Sequence, residues 1–94
     1  MAVYVVAQGN IEDQEKLNEY LQKAGPTIPP EARLLAADTS AEVVEGGIPS
    51  PRVVLIEFPS KEAFRAWYDS ADYQAIVNLR LEGAPGTLVV AEGL

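Results

Sequence analysis

Arg52-Val53-Val54-Leu55-Ile56-Glu57-Phe58 is the stretch on which the fold turns. β-Branched, aliphatic and aromatic residues dominate it and Pro59 ends it, which is the composition of a strand. Side chains alternate across a strand, so Val53 and Leu55 point one way while Val54, Ile56 and Phe58 point the other. A strand with one wet face alternates apolar and polar residues. This one is apolar on both faces. The same holds at 3–8, where Val3, Val5 and Ala7 oppose Tyr4 and Val6, and at 87–92, where Leu88 and Val90 oppose Val89 and Ala91. Leu34/Leu35 and Val43/Val44 repeat the pattern. They fall in two short pieces, 33–37 and 41–45, read here as one strand bent at Asp38-Thr39-Ser40.

Between the strands the period changes. Leu17, Tyr20, Leu21 and Ala24 recur at helical spacing, which predicts a helix over 14–24 with Asp13 as its N-cap and Gly25-Pro26 as its end. Gly46-Gly47-Ile48-Pro49-Ser50-Pro51 reads as a loop. Ser60 is placed to cap a helix over 61–68, and Ser70 to cap a second piece over 71–81. The order β-α-β-β-α-β is the split βαβ, or ferredoxin-like, pattern: an α+β domain over 1–94 with a four-stranded antiparallel sheet and both helical regions on one face.

Two helical regions cover one face of the sheet. The other would expose more apolar surface than soluble monomers tolerate. The chain has 94 residues and no cysteine or histidine, so neither a disulfide nor the commonest metal ligands can compensate for a small core. A homodimer packed through the open sheet face is the expected remedy. The net charge of -7 argues against nucleic acid and anionic membranes as partners. The N-terminal run reads as a strand and no apolar run approaches the roughly 20 residues of a membrane span, so a cytoplasmic protein is expected.

Without His or Cys, no Ser-His-Asp or Cys-His arrangement can be built, a His-ligated haem is excluded, and no cofactor is expected. Carboxylate, Tyr, Arg, Lys and Ser remain. Glu57 lies on the Val53/Leu55 face of an apolar strand; desolvated in a dimer, it would be a general acid or base, and at a solvated strand end it would simply be paired. Phe64, Trp67 and Tyr68 are spaced to pack on the sheet, with Tyr73 close behind; they either fill the core or wall a pocket with indole and phenol donors. Arg52 and Arg80, with Arg33 third, are either paired or hold a substrate carboxylate or enolate oxygen. Tyr20, on the apolar stripe of the first helix, reads as core. Gly83-Ala84-Pro85-Gly86 reads as a turn.

From Glu45 onward the chain resembles a known family. The segments are Glu45-Gly46, Arg52 with the strand that runs into Glu57-Phe58-Pro59-Ser60, Trp67-Tyr68-Asp69-Ser70, Tyr73-Gln74, Leu79-Arg80 and Glu92-Gly93. Tyr4, Asp13, Tyr20 and Arg33 add N-terminal agreement. The resemblance is to the bacterial domain of unknown function 1330 family, within the dimeric α/β-barrel superfamily. It implies a ferredoxin-like protomer whose sheets pair into a dimeric α/β barrel, and substrate contacts at Arg52, Trp67, Tyr68, Tyr73 and Arg80. Glu31-Ala32 stand where the family tends to have Gly-Gly, and Ala37-Asp38-Thr39 where it often has Arg-Gly-Gly.

Three functions follow as expectations. One is a small-molecule site between sheet and helices, acting as a cofactor-free isomerase or monooxygenase on a small organic acid, with Glu57 or a Tyr moving a proton. Another is a ligand-sensing module without catalysis. The third is a dimerisation module without a ligand.

Overall fold

The computed structural model describes residues 1–46 and 51–94. Strands β1 (Val3–Gly9), β2 (Arg33–Asp38), β3 (Arg52–Phe58) and β4 (Gly86–Glu92) form one sheet in the order β2-β3-β1-β4. Every neighbouring pair is antiparallel. Helix α1 (Gln14–Ala24) and a 3-10 turn (Gly25–Thr27) link β1 to β2, and α2 (Lys61–Tyr68), α3 (Ala71–Gln74) and α4 (Val77–Gly83) link β3 to β4. This is the ferredoxin-like α+β fold that the sequence predicts. Among the described residues no helix is long and apolar enough to cross a membrane.

The register shows which face is covered. Val3, Val5, Ala7 and Gly9 stand opposite Phe58, Ile56, Val54 and Arg52, so these residues share one face. Val3, Val5, Ile56 and Phe58 are buried there with Leu17, Tyr20, Phe64, Trp67 and Tyr73 from the helices. The opposite face carries Tyr4, Val6, Val53, Leu55 and Val89; Val89 is 54% exposed, and among the described residues no helix lies over that side.

Three helix starts follow the predicted caps. The Asp13, Ser60 and Ser70 side chains accept from the backbone N–H of Lys16, Ala63 and Tyr73, at 3.1, 3.1 and 3.2 Å. Each satisfies a backbone donor left without a partner in a first helical turn. Helix α4 ends against α1 at Gly83, whose carbonyl accepts from Glu12 and Asp13 N–H at 2.8 and 3.0 Å. A Cβ there would stand 2.7 Å from the Leu17 backbone nitrogen, so the contact needs glycine.

Three expectations about elements are corrected. The strand expected to continue through 41–45 stops at Asp38, because the Asp38 carboxylate accepts from Ser40 N–H at 2.8 Å and turns the chain. Val43 and Val44 are exposed coil, 44% and 82% accessible. The irregularity lies instead between Leu34 and Ala36, where the β2–β3 register shifts. The helix expected over 71–81 is two helices: Ile76 and Leu79 N–H donate to Tyr73 and Ile76 carbonyls, a tighter i to i−3 pattern, and α4 then runs on to Gly83. Of the loop expected over 46–51, Gly46 has φ of +113°, a glycine conformation, and 47–50 lie outside the described residues.

Candidate functional site

A cavity of about 230 Å³ lies between the helix-facing side of the sheet and the helix layer. Its sheet wall is Val5, Ala7, Val54, Ile56 and Leu88; its helix wall includes Tyr20, Ala24, Trp67 and Tyr73. Arg52 from the start of β3 and Arg80 from α4 also line it. Strand alternation aims Arg52 into this space, because it occupies the face of Val54 and Ile56.

The arginines dominate its electrostatics. Arg52 and Arg80 are 6% and 5% exposed. Neither forms an ion pair or hydrogen bond among the described residues, and Arg80 Nε is buried with no partner. Residues 47–50 contain no Asp or Glu, so they supply no side-chain carboxylate. Burial, helped by the positive charge of Arg80, holds the Arg52 guanidinium below the usual arginine range; the Tyr20 phenol works the other way.

Two phenols complete the polar end. Tyr20 Oη and Tyr73 Oη lie 2.8 Å apart in a buried hydrogen bond. Burial first, and then the bond to Tyr73, push the Tyr20 phenol well above the usual tyrosine range. The Tyr20 phenol is therefore neutral near pH 7. One O–H is spent between the phenols and the other is free to donate. Elsewhere the walls are apolar.

The sequence-predicted residues divide into two groups. Arg52, Trp67, Tyr73 and Arg80 line the cavity; Tyr68 and Glu57 do not. Trp67 offers its ring rather than its N–H, which donates to Thr27 Oγ1 at 2.9 Å. Its ring lies 4.1 Å from that of Tyr73, centroid to centroid, inside an aromatic cluster with Phe58 and Phe64. Tyr68 stacks on Phe64 with the Arg65 guanidinium 5.4 Å from its ring. Glu57 points to the opposite, open face of the sheet, where it stands across from Tyr4 and 3.6 Å from Arg33. Hydrogen bonding to Glu57 and its negative charge raise the Tyr4 phenol. Tyr20, assigned to the core from the sequence, belongs to the core cluster and also lines the cavity. The signal for it was chemical: a buried Tyr hydroxyl needs a partner. Among the described residues no group of three or more His, Cys, Asp or Glu is placed to hold a metal ion.

Comparison with known proteins agrees with the fold. Residues 2–94 match the family model described as "Domain of unknown function (DUF1330)", and the chain belongs to that family. No curated protein matches. Among solved structures, a protein of unknown function from Rhodopseudomonas palustris superposes with a TM-score of 0.82 at 15% identity, covering 99% of this chain and 82% of that one. A candidate antibiotic biosynthesis monooxygenase from Nitrosomonas europaea gives 0.64 at 18% identity, covering 100% and 99%. A dimeric ferredoxin-like protein of unknown function from Thermobifida fusca gives 0.60 at 17% identity, covering 97% and 88%. At these identities the likeness is one of fold.

Proposed function

We propose that this DUF1330 family member is a homodimeric protein that binds a small organic anion between its sheet and its helices, with Arg52 and Arg80 as the anion-binding residues. The observation that carries the reading is the pair of buried arginines without a carboxylate among the described residues. A buried charge is costly unless it is paired. Two guanidinium groups facing one apolar space concentrate that cost where a carboxylate would relieve it, through charge-assisted hydrogen bonds. The free phenol hydrogen of the Tyr20–Tyr73 pair supplies a further donor to the same oxygen or to a neighbouring one. The cavity is smaller than the roughly 300–1,000 Å³ of drug-sized sites, which favours a small ligand.

The dimer follows from the open face. Tyr4, Val6, Val53, Leu55 and Val89 form a surface that a second copy covers around a two-fold axis. Fold similarity to a dimeric ferredoxin-like protein supports this arrangement. In this reading Glu57, with Arg33, belongs to the dimer-facing surface and not to the chemistry of the cavity.

A catalytic reading is favoured by one observation, the hydroxyl pair inside the cavity. A neutral phenol with a raised pKa donates a hydrogen bond and does not abstract a proton. The pair would therefore steady an enolate or carboxylate oxygen in a cofactor-free isomerisation or oxygenation of a small acid. Native mass spectrometry after mild purification tests the binding reading. The expected result is a dimer carrying a small acid that is released on denaturation and absent from an Arg80→Met variant. A dimer that carries nothing and is not stabilised by any small carboxylate would overturn it.

A further inference from the structure

We infer that the anion is an amphiphile, an alkyl carboxylate of medium length, with its head at Arg52 and Arg80 and its tail leaving the cavity between Leu21 of α1 and Leu34 of β2. The inference rests on the anion-binding reading above and adds the class and orientation of the ligand.

The polar side chains form one group, in which Tyr20, Tyr73, Arg52 and Arg80 act electrostatically on one another. Arg52, Arg80, Tyr20 and Tyr73 are all buried, and they are the polar side chains of the lining. Along the rest of the wall stand residues such as Val54, Ile56 and Ile28. A ligand with hydroxyl or amino groups along its body would bury them there without partners, at a cost that apolar carbons avoid.

Part of the rim is exposed and apolar. Leu21 and Leu34 also line the cavity, yet they are 50% and 62% exposed. Leu34 belongs to β2, one of the two edge strands of the sheet, so this exposed part of the lining lies at the sheet margin. Its position follows from the register. Arg52 begins β3 opposite Gly9, and Leu34 pairs with Ile56, four residues further along. At about 3.3 Å per residue this sets the backbone levels of Arg52 and Leu34 roughly 13 Å apart along the strand. A tail leaving there covers two leucines that otherwise face water.

The test is calorimetric titration of the protein with acetate, butyrate, hexanoate and octanoate, with 1-octanol as the neutral control. Affinity is expected to rise along the series by up to about fourfold per methylene group. Octanol should bind at least tenfold more weakly than octanoate. Leu34→Gln and Leu21→Gln replace exposed side chains, so the fold should survive, as circular dichroism will show. Each should weaken octanoate several-fold and leave butyrate unchanged. If carboxylates bind with no gain along the series, or if the variants weaken short and long acids alike, the tail path is wrong and the anion site stands. If octanol binds as tightly as octanoate, the head assignment is wrong. If no carboxylate binds, both readings fall together.

Discussion

Tyr20 and Tyr73 come from helices 53 positions apart in sequence and meet hydroxyl to hydroxyl at 2.8 Å, with their rings edge to face at 78°. This contact ties α1 to α3 and sets both phenols in the cavity wall. Its energetics are measurable. Tyr20→Phe and Tyr73→Phe each leave one buried hydroxyl without its partner, and each is expected to cost about 1–3 kcal/mol. The double variant should cost less than the sum by about 1 kcal/mol, because it removes both partners. Urea unfolding of the four proteins reads the coupling directly.

The same contact gives stability a dependence on alkaline pH. The folded-state pKa of Tyr20 is raised, so the folded chain keeps that proton longer than the unfolded chain does. Its contribution is complete below the unfolded value, about 10, and is lost as pH climbs from there toward the folded value. Tyr4, raised through Glu57, acts in the same direction. Arg52 is lowered and acts oppositely at higher pH, since the folded form sheds its proton first. The groups surrounding Tyr20 are Tyr73, Arg80 and Arg52. Urea midpoints between about pH 9 and pH 11 should fall for the wild type and fall less steeply for Tyr20→Phe.

Removing a charge from the cavity should separate stability from binding. An unpaired buried guanidinium is a burden on the empty protein. Arg80→Met keeps much of the apolar stem, and it is expected to be neutral or to stabilise the ligand-free protein by about 1 kcal/mol. Carboxylate affinity should fall by about 10- to 150-fold, the equivalent of a charge-assisted hydrogen bond. Thermal unfolding with and without hexanoate reads both quantities. A variant that is less stable and binds normally would place Arg80 among the structural residues.

Gly83 offers a test of the fold that does not touch the ligand. A methyl group there meets the backbone of α1 at 2.7 Å, with nothing flexible to yield. Gly83→Ala is expected to destabilise the protein by about 1–3 kcal/mol, as overpacking does. Gly25→Ala, where a Cβ meets nothing within 4 Å, serves as the control and should change stability little.

The open face makes a separate prediction. Leu55 and Val53 lie on the side of the sheet without helices. Leu55→Lys or Val53→Lys should shift a dimer toward monomer in light scattering while leaving the protomer folded. Val54→Lys, one residue away and facing the helices, should instead unfold the protomer. If all three retain a dimer, the open face is not the interface.

The architecture was legible because local signals were consistent. Three side-chain caps, the two-faced strands and the helical stripe of α1 each point to the same arrangement. What the sequence could not convey was set by long-range geometry. The end of β2 depends on a turn closed by the Asp38 carboxylate, in a stretch whose apolar pairs resemble strand. The break between α3 and α4 has no proline or glycine to announce it. Arg52 and Arg80 were visible as candidates, but 28 positions separate their numbers and only the fold brings them to one cavity. Alternation alone put Glu57 on the Val53/Leu55 face, opposite Arg52, but which of the two faces the helices cover was set by the fold. Tyr20 was hidden because an apolar stripe absorbs a tyrosine as readily as a leucine, and its hydroxyl partner comes from across the chain.

A crystal structure of the protein, purified gently and grown with hexanoate, tests the central claim most directly. The account predicts a carboxylate within about 2.7–2.9 Å of both the Arg52 and Arg80 guanidinium groups, with its carbons against Val54 and Ile56. A dry cavity, with either arginine paired to a carboxylate of its own chain or of the partner copy, would contradict it.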